Sequence, residues 1–562
     1  MTQSRCLLTA VLTTLAASSA AVADDADTVE PPDVRLALVR PQSNTGVTRN
    51  LGNEELVLRG ARIGHIEVMV DDVFENTALS APYRIANGMH IETRSETIVQ
   101  QLLFRSGDTY NPRLLAENER SLRAQRYLND AVITPTRYNE ADNTIDVKVR
   151  VHDVWTLSPG FSFGRTGGEN STRLKFEDTN FLGMGKQLSA ARSSDVDRTT
   201  WRLAYTDPHL LGSWWRMTTA YSTMSDGGER AFGIERPFYS LDSRWSASFG
   251  VSDTTLALSR YSEGTRLGQF DMRERKFNIG GGLSEGVRDG WVTRWLAGFD
   301  YDAREFATND HDTGGPLPID RTYAYPWFGV ELMEDQYVST RNLDQIGRTE
   351  DLHLGRSLSA RVGLASTAWG STTDALTFES EAQFSHDFGD ERYLINSASL
   401  AGRFEDGGFD NTVLDLSSRY YLRQSARRVF FASVSGSLAN QLDEETQLLL
   451  GGDNGLRGYP LRYQAGDASA LLTIEQRFYT DWQPLQLVNV GAAVFFDAGR
   501  TWGRDSNAAA PQGWLKDVGL GLRLGSPRSG LGNVLHIDLA FPLDGGKGID
   551  SMQLLIETRK SF

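Results

Sequence analysis

The chain has almost no cysteine. Its single thiol, Cys6, precedes everything that reads as folded, which excludes a disulfide framework and a thiolate metal site from the rest. Long apolar runs are also missing. Beyond residue 23 no stretch of about 18 apolar residues occurs, so no transmembrane helix is expected. Basic residues are too few for a nucleic-acid partner, which needs concentrated Lys and Arg: 57 Lys and Arg stand against 73 Asp and Glu, a net charge of -16. The 8 histidines show no H-E-x-x-H spacing, and neither a metal nor a cofactor is expected. What is abundant is glycine (54) and aromatics (12 Trp, 18 Tyr and 26 Phe). With alternating segments, that composition fits a membrane β-barrel, whose polar lumen hides its apolar outer face from average hydropathy.

Four regions are expected. Residues 1–23 read as a secretory signal: Arg5 supplies the charge, Cys6 to Leu15 the apolar stretch and Ala21-Val22-Ala23 the small residues before Asp24. Residues 24–60, polar and carrying Pro31-Pro32, read as a linker or arm. Residues 61–155 read as a small α+β domain. Ile66, Val68 and Val70 alternate as in a half-buried strand. Thr93-Arg94-Ser95-Glu96 has capping-box spacing ahead of a helix through Ile98, Val99, Leu102 and Leu103 that stops near Gly107. Asn111-Pro112 opens a second helix with Leu114, Leu115 and Leu122 on its apolar side. Strands at 131–137 and 145–151 complete the unit. From 156 to 562 the period is two, as in Trp201/Leu203/Tyr205 and Leu535/Ile537/Leu539/Phe541, with polar turns between. A closed barrel pairs every backbone group in hydrocarbon without helices.

Two hydrolase-like signals carry little weight. Gly282-Leu283-Ser284-Glu285-Gly286 matches a G-x-S-x-G elbow, which needs a strand-to-helix turn and a placed histidine. No helix pattern follows it, so a barrel hairpin explains it better. Asp310-His311-Asp312 lies in a polar loop and reads as solvated.

The strongest signal is Gly451-Gly452-Asp453-Asn454-Gly455-Leu456-Arg457-Gly458-Tyr459, followed by Phe495-Phe496-Asp497-Ala498-Gly499. An arginine fork and a carboxylate are geometric complements, and glycines let a loop fold where side chains would clash. Strand parity puts Asp497 on the polar face with Asn489 and opposite Val490 and Val494. The same logic turns Glu475, Arg477 and Arg523 inward. Arg457 is therefore expected to enter the lumen and pair with Asp497, with Glu475 as a competing or additional partner.

These motifs resemble the arginine-glycine-aromatic loop and aspartate-bearing strand of the BamA/TamA superfamily, the bacterial surface antigen family. Arg126-Tyr127-Leu128-Asn129-Asp130-Ala131 is similar to a passage in its POTRA domains, with Arg126 where glycine is common. The resemblance implies a mainly β fold: one POTRA-like α+β domain, then a transmembrane antiparallel barrel of 16 strands. It implies a bacterial outer-membrane location with the first domain in the periplasm, and a non-enzymatic role in inserting, assembling or translocating proteins. Its implied partners are outer-membrane lipid, an unfolded or β-rich client and a periplasmic partner of the POTRA-like domain. Gly451, Gly452, Gly455, Leu456, Gly458 and Tyr459 form the loop motif, Phe495 and Gly499 the strand motif, and Phe562 a C-terminal assembly signal. A pore or structural surface barrel, and an outer-membrane hydrolase, are the competing readings.

Overall fold

Alternation builds the first sheet. Strands β1 (Arg62–Asp71), β2 (Leu128–Asn139) and β3 (Thr144–Asp153) lie in the order β1-β3-β2, with β1 parallel and β2 antiparallel to β3. Helices α1 (Asn53–Leu58), α2 (Ser95–Val99) and α3 (Pro112–Arg123) accompany it. Val147, Val149 and Val151 share one face of β3 and join Leu56, Ile98, Leu115 and Leu122 in one core. The computed structural model describes residues 51–74, 87–88, 90–310, 316–503, 513–526, 528, 534–546 and 548–559. The expected signal peptide and most of the linker lie outside them.

Three local expectations are corrected. The end of the expected linker is helix α1, recruited because Leu56 is fully buried in the domain core. Thr93 does not cap α2. Its hydroxyl donates to Asp153 Oδ1 at 2.7 Å, and Arg94 stands at the N-cap without a side-chain bond. That helix also ends at Val99 rather than near Gly107. Asn118 of α3 takes over the next backbone groups, donating to Gln101 O at 2.9 Å and accepting from Leu103 N at 3.0 Å. Asn111 caps α3, accepting from Arg113 N and Leu114 N, with Pro112 at the first position.

The remaining chain closes a barrel. The first wall runs β4 (Leu157–Thr166), β5 (Glu169–Phe181), β6 (Lys186–Ser194), β7 (Thr199–Asp207), β8 (Arg216–Met224) and β9 (Gly227–Arg236). Longer strands follow: β10 (Trp245–Ser262), β11 (Thr265–Arg288), β12 (Trp291–Thr308) and β13 (Arg321–Glu334). A separate hairpin, β14 (Tyr337–Arg341) and β15 (Thr349–His353), then interrupts the wall. The wall resumes with β16 (Ser357–Ala365), β17 (Ala375–Asp387), β18 (Arg392–Glu405), β19 (Gly408–Ser425) and β20 (Arg428–Asn440). A second inserted pair, β21 (Leu448–Leu450) and β22 (Gln464–Gly466), precedes β23 (Ala468–Tyr479), β24 (Asn489–Trp502), β25 (Leu515–Gly525), β26 (Val534–Pro542) and β27 (Gln553–Arg559).

The closed barrel has 20 strands, not the 16 expected. Sixteen strands assumed about 25 residues per strand and loop, whereas several hairpins turn on two residues. Gly167-Gly168, Glu263-Gly264, Asp289-Gly290 and Asp406-Gly407 all have φ > 0 at both positions, the geometry that matches the strand twist. Residues saved in turns build four more strands. Trp201, Leu203, Val494 and Leu520 point outward and are exposed, as a lipid-facing surface requires. Among the described residues no helix is long and apolar enough to cross a membrane.

The α+β domain abuts one rim, here the near rim. Arg113 of α3 pairs with Glu117, Asp242 and Asp335, and Arg126 grips Glu177 with two nitrogens at 2.9 and 2.8 Å.

Candidate functional site

The β20–β23 connection starts at the far rim and folds back into the lumen. Asn454 shapes its turn, accepting from Gly451 N at 2.6 Å and donating to Leu449 O at 2.6 Å. Gly452 N donates to Pro460 O at 2.9 Å. Gly455 has φ +124, and a Cβ there would overlap the side chain of Leu471, so only glycine fits comfortably. Leu456 and Tyr459 are fully buried. Tyr459 Oη donates to Lys516 O at 2.7 Å. Gly458 N donates to Asp517 Oδ2 at 3.0 Å, and a Cβ would stand 2.7 Å from that of Asp517.

This scaffold delivers Arg457 into the lumen. Its Nε and Nη2 donate to the two oxygens of Asp497 at 2.7 and 3.0 Å. Its Nη1 donates to Glu475 Oε2 at 3.1 Å and Asp538 Oδ2 at 3.2 Å. The guanidinium carbon lies 3.3 Å from the ring centre of Phe495, a cation–π contact. Gly499 leaves room beside Leu450, whose Cδ2 would stand 3.0 Å from an added Cβ. Arg457 is 2 % exposed and its three carboxylates 0 %. Glu475 does not compete with Asp497; it binds the same guanidinium from another side.

The charges extend further. Arg523 engages Asp538 and Glu475, and Arg477 Nε donates to Glu475 Oε1 at 3.2 Å. Asp538 and Asp517 were absent from the expected set. Asp538 was within reach of the same parity argument, because it alternates with Ile537 and Leu539. The loop's neck is also tied down: Asp443 accepts from Arg321 and Arg403 at 2.9 and 2.7 Å, and Arg462 holds Asp197 at 2.7 and 3.1 Å. These partners sit on strands β13 and β18 and in the β6–β7 turn, too distant in sequence for any motif to pair them.

The loop also braces the barrel's closure. Pro460 and Leu461 pack so tightly on the β4–β5 turn that a Cβ at Gly167 would stand 2.7 Å from Pro460 C. β4 is the strand that meets β27. Among the described residues that ladder holds one register pair, Ile556↔Arg165, whereas β26–β27 runs from Val534↔Arg559 to Ala540↔Gln553.

Other singled-out residues lie apart. Ser284 sits in the β11–β12 hairpin and donates to Thr293 O at 2.9 Å; no strand-to-helix turn surrounds it. His311, Asp312 and Phe562 fall outside the described residues.

Residues 353–556 match the Omp85 superfamily domain. Over that stretch the chain is similar to the superfamily. Arg457, Asp497, Glu475 and Asp538 all fall inside the matched residues. A putative outer membrane protein assembly factor of Treponema pallidum (strain Nichols) is 23% identical over 182 residues, which are 30% of this chain and 22% of that protein. Among solved structures, CdiB from Escherichia coli is similar at 13% identity and a TM-score of 0.48, over 89% of this chain and 76% of its own. BamA from Haemophilus ducreyi lacking POTRA domains 1-3 is similar at 14% identity and 0.39, over 88% and 85%.

Proposed function

We propose that this protein is an outer-membrane factor that helps β-rich client proteins insert into, assemble in or cross that membrane. The observation that carries the reading is a buried arginine pin, itself inside residues 353–556, that holds its loop against the β4–β5 hairpin, next to a β4–β27 ladder with one register pair among the described residues. In this reading residues 1–23 direct export, the near rim faces the periplasm, and residues 61–155 act as a single POTRA-like domain. The sheet edges β1 and β2 offer backbone donors and acceptors to an extended client or periplasmic partner, with little demand on its sequence.

The seam supplies the chemistry. Backbone groups in hydrocarbon must find partners, and among the described residues the β4–β27 ladder has one register pair to give up in an exchange. A client strand that pairs with either edge replaces lost bonds one for one. The pin keeps the β4–β5 hairpin in place while this happens, because the loop that Arg457 anchors also packs on Gly167. No catalytic step and no cofactor enters. A passive-pore reading predicts steady current, which the inserted loop opposes.

The test is quantitative proteomics of outer membrane and culture fluid after gene deletion, complemented with wild type or Asp497→Ala. Selective loss of one or a few β-rich proteins, restored by wild type but not by an equally abundant variant, is the expected result. An unchanged proteome under abundant expression would sink the reading.

A further inference from the structure

The lumen holds a second insertion, made from the near rim. Between β13 and β16 the chain leaves the wall, forms the β14–β15 hairpin and sends its tip, residues 342–348, into the barrel. Leu343 is fully buried, and with Ile346 it joins Tyr393, Ile395, Tyr421 and Phe431 in one apolar cluster. The wall also grips the tip's backbone. Arg477 Nη1 donates to Leu343 O at 2.5 Å and Asn489 Nδ2 to Ile346 O at 2.9 Å, while Tyr421 Oη donates to Asp344 Oδ1 at 3.0 Å. Glu350 closes the tip on itself, accepting from Leu343 N, Asp344 N and Gln345 N at 2.8, 2.9 and 3.3 Å. The tip is thus an internally braced piece that can move as a unit.

The two strands of the hairpin, and Arg348 at the end of its tip, are held by the α+β domain. Arg123 of α3 grips both oxygens of Asp351 at 2.7 Å. Arg348 donates to Leu128 O at 2.6 Å, and Arg120 lies 4.1 Å from the ring centre of Tyr337. These contacts are polar or amphipathic, and water can replace them when the domain lifts away. Arg477 links the two insertions: it holds Leu343 O on one side and Glu475 on the other, and Glu475 also holds Arg457.

We propose that the 337–353 hairpin is a near-rim plug latched by the N-terminal α+β domain. The plug withdraws when that domain disengages, and Arg477 couples its position to the Arg457 pin. The plug needs no client to operate, so it stands or falls separately from the client-handling reading.

The test is planar-bilayer conductance of the full-length protein carrying Cys6→Ser, Ile346→Cys and Gly525→Cys. A Cβ at Gly525 would stand 3.1 Å from that of Ile346, near the roughly 3.5–4.5 Å spacing of a disulfide. Adding Arg123→Ala and Arg348→Ala removes the latch. In reduced protein the latch variant should raise open probability at least about 5-fold, the low end of a coupling between sites, and oxidation of the same sample should silence it. Wild-type conductance in the reduced latch variant would overturn the proposal, as would equal conductance of its oxidised and reduced forms. Because locking and release are read on one folded sample, a folding defect cannot imitate the result.

Discussion

Two chain segments enter one lumen from opposite rims, and they are held by different physics. The far-rim loop is held by charge: Arg457 spends its fork on Asp497, Glu475 and Asp538, all buried. Inside the lumen, the near-rim hairpin is held by an apolar tip and by side chains that reach its backbone carbonyls. A charge cluster is strong only when complete, because each member left alone is a buried unpaired charge. Apolar and backbone contacts fail gradually and re-form easily. The comparison therefore separates a fixed element from a movable one inside the same barrel.

The sharpest way to break the comparison is to empty the charged side. Arg457→Leu takes the fork from Asp497 and leaves Glu475 and Asp538 to Arg523 and Arg477, and the truncation should cost about 3–5 kcal/mol. The urea midpoint of the purified barrel should fall accordingly. Arg457→Lys, which keeps charge but loses the two-pronged geometry, should fall between the variant and wild type.

The matching cut on the other side is Leu343→Ala. A buried leucine truncated to alanine costs about 2–5 kcal/mol, and here the loss should stay local. Amide exchange should speed up across residues 343–350 and remain unchanged in β23 to β26.

Proton concentration should discriminate the two regions further. Burial, and then the nearby Asp344 charge, push the Glu350 carboxyl up from 4.5 to about 7 against three backbone donors that oppose the shift. The folded hairpin thus binds the proton more tightly than the unfolded chain. Its stability is full below about pH 4.5 and falls as pH rises toward about 7, by at most roughly 3 kcal/mol, then levels off. Exchange protection of 343–345 measured across that range should follow this curve, and Glu350→Gln should flatten it.

The smallest effect should come from the loop's neck. Arg462 and Asp197 are 22 % and 24 % exposed, so Arg462→Ala should cost no more than about 1 kcal/mol, measured on the same urea curve. A loss as large as that of Arg457→Leu would mean the neck, not the tip, fixes the loop.

What could be read from sequence follows the same division. Period-two alternation gave the barrel, and parity turned Asp497, Glu475, Arg477 and Arg523 inward, because each strand carries its own record of two faces. Strand number was not legible that way. It depends on how few residues each turn uses, although Asp289-Gly290 and Asp406-Gly407 were two-residue turn signals in plain view. The hairpin was the harder case. Tyr337 to Arg341 and Thr349 to His353 look like any short strand pair, and only packing against Tyr421 and Phe431 determines that they leave the wall. Likewise, nothing local tells Asn118 to end α2 or Asp443 to meet Arg321 and Arg403.

The central claim is that clients engage at the β4–β27 seam. Photo-crosslinking amino acids placed at Phe163 in β4 and Leu554 in β27 test it directly, with Phe328 on the opposite wall as the lipid-facing control. The account predicts adducts to a β-rich outer-membrane protein at both seam positions and none at Phe328. Absence of client adducts at the seam, or equal adducts at all three positions, would contradict it.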